Sequence, residues 1–326
     1  MKVFTKNVRC GLLAAGTAMV LALSACGSGS SGSTSGSPDS GDQTINILYS
    51  RAVEQVGLWV AQDEGIFKKH GLTVKLSEVA SASQVGVAIS GGSAQMGFET
   101  GPDFLSAVDA GVKLVVASGL SVDTAENPRV ALIAGKDSHI STPADIAGKR
   151  IAVPGVNTSS QLSTIQKLQE AGVDVSGIKW VALPFQQAPD ALKAKRVDAV
   201  VSVYPFIGLL KSQGNKPIIA TFAAPGEKQL VVFLSASATW AAAHPDQVSA
   251  LRASLEEATA FVAAHPDETR TIIAKYSGLP ADVINNIPFP NLSTEVTPDQ
   301  LNFFLDIMKK QNLIKGDLDT AALIAK

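Results

Sequence analysis

Residues 44–78 read TINILYSRAVEQVGLWVAQDEGIFKKHGLTVKLSE, and the change of hydrophobic period inside this stretch decides the fold. Residues 44–49 are rich in β-branched and aromatic side chains, which suits a strand. Over residues 53–69 the apolar positions fall on one helical stripe, and Gly71 stops the helix. Residues 73–78 then return to a strand pattern. Strand, helix and strand in this order build a parallel pair covered by a helix, and ligands of such sheets sit beyond the carboxyl ends of the strands.

The alternation continues outward from this unit. The spacing predicts a helix at residues 83–90, a strand at 95–98, a helix at 102–110 with Gly111 behind it, and a strand at 112–117. The polar, Pro-containing stretch 123–129 interrupts the pattern and reads as a crossover. A second series follows: strand 130–134, a short helix opened by Thr142-Pro143-Ala144-Asp145, strand 150–153, helix 159–171 closed by Gly172, strand 178–182, helix 188–195 and strand 198–203. After a strand at 230–235 only helices are expected, several opened by proline at Pro245, Pro266, Pro280 and Pro298. The expectation is an α/β chain of two lobes, with residues 43–129 and 230–326 in the first and 130–229 in the second. Each lobe is read as a mostly parallel sheet flanked by helices, and the late helices are expected on the first lobe.

The chain has 326 residues, 46% hydrophobic and 17% charged, enough apolar content for substantial cores. A formal charge of -2 provides no basic field for a phosphate backbone, so nucleic acid is excluded as a general partner. At the N-terminus, Lys2, Lys6 and Arg9 precede an apolar run over residues 11–23, the pattern of a secretory signal peptide and too short to span a bilayer. Leu23-Ser24-Ala25-Cys26 resembles the lipobox of bacterial lipoproteins, which implies cleavage after residue 25 and acylation of Cys26. Residues 27–42, mostly Gly and Ser, read as a flexible tether. Their formal Gly-x-Gly-x-x-Gly match has no strand before it and no helix after it. The expected location is the outer face of a bacterial plasma membrane, held there by lipid alone.

Catalytic patterns are missing from the body. Cys10 and Cys26 are the only cysteines, so nothing after residue 26 supplies a thiol. There is no Gly-x-Ser-x-Gly elbow, and His70, His139, His244 and His265 do not stand at zinc-ligand spacing. The repeated tripeptides His244-Pro245-Asp246 and His265-Pro266-Asp267 read as helix punctuation. Gly148-Lys149-Arg150 lacks the rest of a phosphate-binding loop. No catalytic residue, metal site or cofactor is expected, and binding without chemistry remains.

Three stretches carry a family resemblance. Residues 57–72, GLWVAQDEGIFKKHGL, resemble the opening helix and stop of the NMT1/THI5-like solute-binding proteins, which include nitrate, sulfonate and taurine receptors. Residues 145–154, DIAGKRIAVP, are similar to their second-lobe entry segment, and Asp198-Ala199 with Tyr204-Pro205 to the segment before their second cleft loop. The resemblance covers about residues 44–280. It implies a two-lobed type II periplasmic binding protein fold and the receptor of an ABC importer, a monomer that hands a small ligand to a permease with its ATPase subunit. The implied ligand is a small anion of the sulfonate, taurine or nitrate class. The alternative is a thiamine-precursor aminopyrimidine or other nitrogen heterocycle. Pyrimidine-synthase relatives carry a cysteine-rich motif that this body lacks, and a structural or adhesive lipoprotein would need no cleft.

Strand ends and helix starts nominate the ligand site, because first-turn N–H groups are unpaired and favour anions. Ser81, Ser83, Thr100 and Gly101 mark such starts in the first lobe; Asn157, Thr158, Ser159 and Ser160 mark one in the second. Each also reads as plain helix capping. Ser50 and Arg51 follow the first strand and Glu99 ends the third, where it would meet a ligand amine, pair with Arg51 or point to water. Phe185, Gln186 and Tyr204 follow second-lobe strands and offer aromatic cover for an apolar ligand part. Trp59 is assigned to the core.

Overall fold

β1 (Ile45–Tyr49) leads through a 3-10 turn at Val53–Gln55 into α1 (Val56–Asp63) and α2 (Ile66–Lys69). The one helix expected over residues 53–69 is divided because Gly65 adopts φ 66°, a left-handed conformation that interrupts the helical ladder. The computed structural model describes residues 44–223 and 226–326. The expected signal peptide, Cys26 and the tether lie outside the described residues.

β2 (Val74–Glu78), α3 (Val85–Ser90), β3 (Met96–Glu99), α4 (Gly101–Asp109) and β4 (Leu114–Asp123) complete the first series. The second contains β5 (Val130–Ala134), β6 (Arg150–Val153), α5 (Ser159–Glu170), β7 (Lys179–Ala182), α6 (Ala188–Lys193), β8 (Ala199–Val203), α7 (Phe206–Ser212) and β9 (Lys216–Ala220). β10 (Gln229–Ser237) is followed by α8 (Ala238–Ala243), α9 (Pro245–Ala264), α10 (Pro266–Ser277), α11 (Ala281–Asn286), the two-residue β11 (Asn291–Leu292) and α12 (Pro298–Lys310).

Two sheets result, ordered β11-β4-β10-β3-β1-β2 and β7-β6-β8-β5-β9. The βαβ units pair in parallel as expected: β1 with β2 and β3, and β6 with β7 and β8. Each sheet also holds strands that run the other way. β10 is antiparallel to β3 and β4, and β5 is antiparallel to β8 and β9. These strands arrive from the other sheet rather than from a helical crossover within their own, so nothing forces them parallel. β4 outlasts the expected strand because Ser118, Ser121 and Asp123 interrupt its apolar run, yet all three are buried. β9 went unanticipated because Pro217 sits inside it. Proline is tolerated there because β9 ends the sheet and needs only one ladder.

Trp59 is fully buried, as expected, and its ring stacks on Tyr276 at 5.4 Å. His244 and His265 stand immediately before α9 and α10, their rings stacked on Trp240 and Phe261 at 4.8 and 4.4 Å. α9 and α10 pack on α1, beside the first sheet. α12 departs from the expectation for the late helices, since it packs against both α4 and α5 and so touches helices of both sheets.

Candidate functional site

The carboxyl end of β3 and the segment between β2 and α3 meet the loop after β6. Between them lies a cavity of about 530 Å³. Its lining includes Ser83, Val87, Glu99 and Asp103 from the first series and Val156 to Thr158 from the second, with Met308 of α12 behind. Four of the expected site residues therefore meet here: Ser83, Glu99, Asn157 and Thr158. No Lys, Arg or His is among the lining residues.

Glu99 is the last residue of β3, a strand buried along its whole length. It is 1% exposed, and its Oε2 has no hydrogen-bond partner among the described residues. Desolvation, reinforced by the nearby negative charge of Asp103, pushes its carboxyl up to about 9. At neutral pH the side chain is a neutral acid. Its expected pairing with Arg51 does not occur, and neither does the alternative of pointing to water. Arg51 Nε and Nη2 instead donate to Glu78 at 2.7 and 3.1 Å, between the ends of β1 and β2. The hydrogen bond to Glu78 is the main reason the Arg51 guanidinium is held above its ordinary pKa.

The helix starts are arranged differently from an anion cradle. Thr100 precedes α4, yet its hydroxyl donates to Asp103 Oδ2 at 2.6 Å and caps no backbone N–H. Asp103 brings a carboxylate to the positive end of α4, where an anionic ligand would otherwise be favoured. At the start of α5, Thr158 Oγ1 accepts from Gln161 N at 3.5 Å, and its hydroxyl donates to the Gly155 carbonyl at 3.0 Å. Asn157 adopts φ 60° and its N–H donates to Gln161 Oε1 at 2.6 Å. Ser160 is buried, with its carbonyl accepting from the hydroxyls of Ser163 and Thr164, and Ser159 is half-buried. Capping is the geometry seen at this helix start.

The remaining expected residues lie outside the cavity lining. Ser50 Oγ accepts from Gln55 Nε2 at 2.6 Å, and Ser81 is exposed with its hydroxyl 2.8 Å from that of Ser83, which does line the cavity. Gly101 is a packing residue, because a Cβ there would overlap the Phe304 ring. Phe185 stacks on Phe206 at 6.5 Å, and Gln186 is exposed. Tyr204 lies under the guanidinium of Arg129, 4.8 Å from its ring centroid.

Arg129, Glu54 and Asp103 were not anticipated. Arg129 ends the crossover between the sheets with its side chain 1% exposed, pairs with Glu54 at 3.1 Å and donates to the Pro288 carbonyl at 2.9 Å. It ties the turn after β1, the late chain and Tyr204 of the second series together. Its backbone N–H donates to Asp123, whose carboxyl burial raises to about 7. Asp103 had a readable signal, the Thr100-x-x-Asp103 spacing of a helix start; Arg129 had none beyond its place beside Pro128.

Residues 53–269 match the protein family described as NMT1/THI5 like. The chain belongs to this family. A curated Brachyspira hyodysenteriae protein, assigned by name to the ABC transporter periplasmic binding proteins, is 26% identical over 191 residues. That match covers 56% of this chain and 55% of the relative, so the chain spans about half the length of this relative. Among solved structures, the Escherichia coli periplasmic aliphatic sulphonate binding protein superposes with TM-score 0.73 at 20% identity, covering 87% of this chain and 92% of its own. The Synechocystis periplasmic nitrate-binding protein superposes with TM-score 0.62 at 16% identity, covering 86% and 84%. The fold of this NMT1/THI5-like chain is thus the two-lobed α/β fold of periplasmic binding proteins, with one sheet in each lobe.

Proposed function

We propose that the protein is the extracytoplasmic solute receptor of an ABC importer. The observation that carries this reading is the cavity of about 530 Å³ lined by segments of both series, the end of β3 with α3 and α4 on one side and the loop after β6 on the other, since a ligand held there touches both lobes at once. Ligand binding then favours the closed arrangement through contacts available only when the lobes meet, and a membrane permease with its ATPase subunit reads the closed form. The lobes are residues 43–129 with 230–326, and 130–229. In this reading Cys26 carries the lipid that holds a monomer at the outer face of the plasma membrane, and the body binds without catalysing a reaction. The names of the structural neighbours suggest a sulfonate or nitrate class of ligand, and the sequence resemblance adds taurine. The acidic lining of the cavity favours the second reading, an aminopyrimidine or other nitrogen heterocycle.

A thermal-shift screen followed by small-angle scattering tests the proposal. A ligand bound only to the native state adds about 2.7 kcal/mol of stability at a hundredfold excess over Kd. The expected result is stabilisation accompanied by compaction. Stabilisation without compaction would remove hinge closure and leave binding in place.

A further inference from the structure

The lining of the inter-sheet cavity has an unusual charge balance: two carboxyl groups, no basic side chain, and one of the carboxyls buried with an unpartnered oxygen. We infer that the ligand is an organic cation, an amine or amidine whose charged nitrogen pairs with Glu99 and whose apolar body lies against Val87, Val156 and Met308. This rests on the receptor reading above and specifies the ligand class of the same cavity.

A buried carboxyl oxygen without a hydrogen-bond partner is costly, and a ligand N–H supplies the missing donor. Asp103 adds a negative charge in the first turn of α4, and its bond from Thr100 leaves that charge in place. An anion entering the same cavity would meet this charge with no lysine or arginine on the lining to offset it. The apolar part of the ligand has a place as well. Val87 and Val156 are 75% and 63% exposed, the two most exposed large aliphatic residues described, and they reach the cavity from α3 and from the loop after β6. Both face water, and an apolar ligand body covers them.

Burial and Asp103 keep Glu99 protonated at neutral pH, so the cation displaces a proton. That proton passes to the buffer as the carboxylate–ammonium pair forms. The charged group acting on Glu99 is Asp103. Its strand neighbour Phe233 on β10 and the facing Met308 on α12 carry no charge. Binding of a cation therefore strengthens as pH rises toward about 9, as long as the ligand stays protonated. An anion that accepts a hydrogen bond from protonated Glu99 shows the opposite sign.

The test uses the whole mature protein and matched probes: benzylamine and benzamidine against benzenesulfonate, with taurine and nitrate added. Calorimetry in two buffers of different ionisation enthalpy counts protons. The expected result is binding of an amine or amidine with release of nearly one proton at pH 7 and affinity rising up to about tenfold per pH unit between 6 and 8. Glu99→Gln should lower that affinity about thirtyfold or more and abolish the proton release, while Asp103→Asn lowers it less. Glu99→Gln replaces an acid already neutral at pH 7, and Asp103→Asn serves as the second variant should it fold poorly. Cation affinity that survives Glu99→Gln, or binding without proton release, overturns the inference. Binding of benzenesulfonate, taurine or nitrate in preference to the amines also overturns it but leaves the receptor reading standing. Failure of every probe to bind counts against both.

Discussion

Arg51 and Arg129 each hold one glutamate, at 2.7 Å from Glu78 and 3.1 Å from Glu54, and the shorter contact is the less consequential. The Arg51 side chain is 60% exposed; that of Arg129 is 1% exposed. Water solvates Arg51 nearly as well as Glu78 does, so the pair contributes little and is screened by salt. Arg129 has left water altogether, and its charge is balanced by Glu54, the Pro288 carbonyl and the Tyr204 ring. Removing one member of such a set strands the others in a low-dielectric interior. The comparison separates a charge that decorates a strand end from one that fastens the junction between two sheets.

The largest expected effect follows directly. Arg129→Ala should destabilise the fold by about 3–5 kcal/mol in urea denaturation, because Glu54 loses its counter-charge. Adding Glu54→Gln should recover part of that loss. A cost below about 1 kcal/mol would place Arg129 in the same solvent-screened class as Arg51.

Next comes the pH dependence set by the two buried carboxyls. Glu99 and Asp123 rise on folding from ordinary values of 4.5 and 3.8 to about 9 and about 7. Between the unfolded and folded values the native state binds more protons than the unfolded chain, so stability falls as pH rises through that window. Each group contributes at most about 1.4 kcal/mol per pH unit. From pH 7 to 9 Glu99 alone should dominate, and Glu99→Gln should flatten the slope and raise Tm at pH 8. An unchanged slope in that variant would mean the carboxyl is already satisfied in the folded chain.

Gly101→Ala should cost about 1–3 kcal/mol by pushing against Phe304, with Phe304→Leu in the same chain restoring part of it. If the substitution left stability intact and weakened ligand binding, Gly101 would belong to the site after all. The smallest effect belongs to Arg51→Ala, which should leave both Tm and ligand affinity within experimental error. A clear loss of affinity would reinstate Arg51 as the cleft cation.

Part of the candidate site was legible because a strand end followed by a helix start is a local pattern. Glu99, Ser83, Asn157 and Thr158 were found in that way, and they do meet around one cavity. Arg51 satisfied the same local rule and went elsewhere, because Glu78 on the adjacent parallel strand was nearer. Gly101 looked like a place for ligand backbone contact, whereas a ring from α12, two hundred residues later in the chain, occupies that space.

The order of strands and helices over residues 44–203, the division of the pattern near residues 123–129 and the proline-opened late helices were legible in the sequence alone, whereas α7, β9 and β11 were not. Hydrophobic period, glycine stops and helix caps act within a few residues and need no tertiary partner. Tertiary structure alone decided which strands run antiparallel, how far β4 extends, and that α12 reaches α5 as well as α4. It also decided the charge of the cavity. Whether Glu99 is a carboxylate or a neutral acid depends on desolvation and on Asp103, and desolvation is set by every element packed around a residue rather than by its neighbours in the chain.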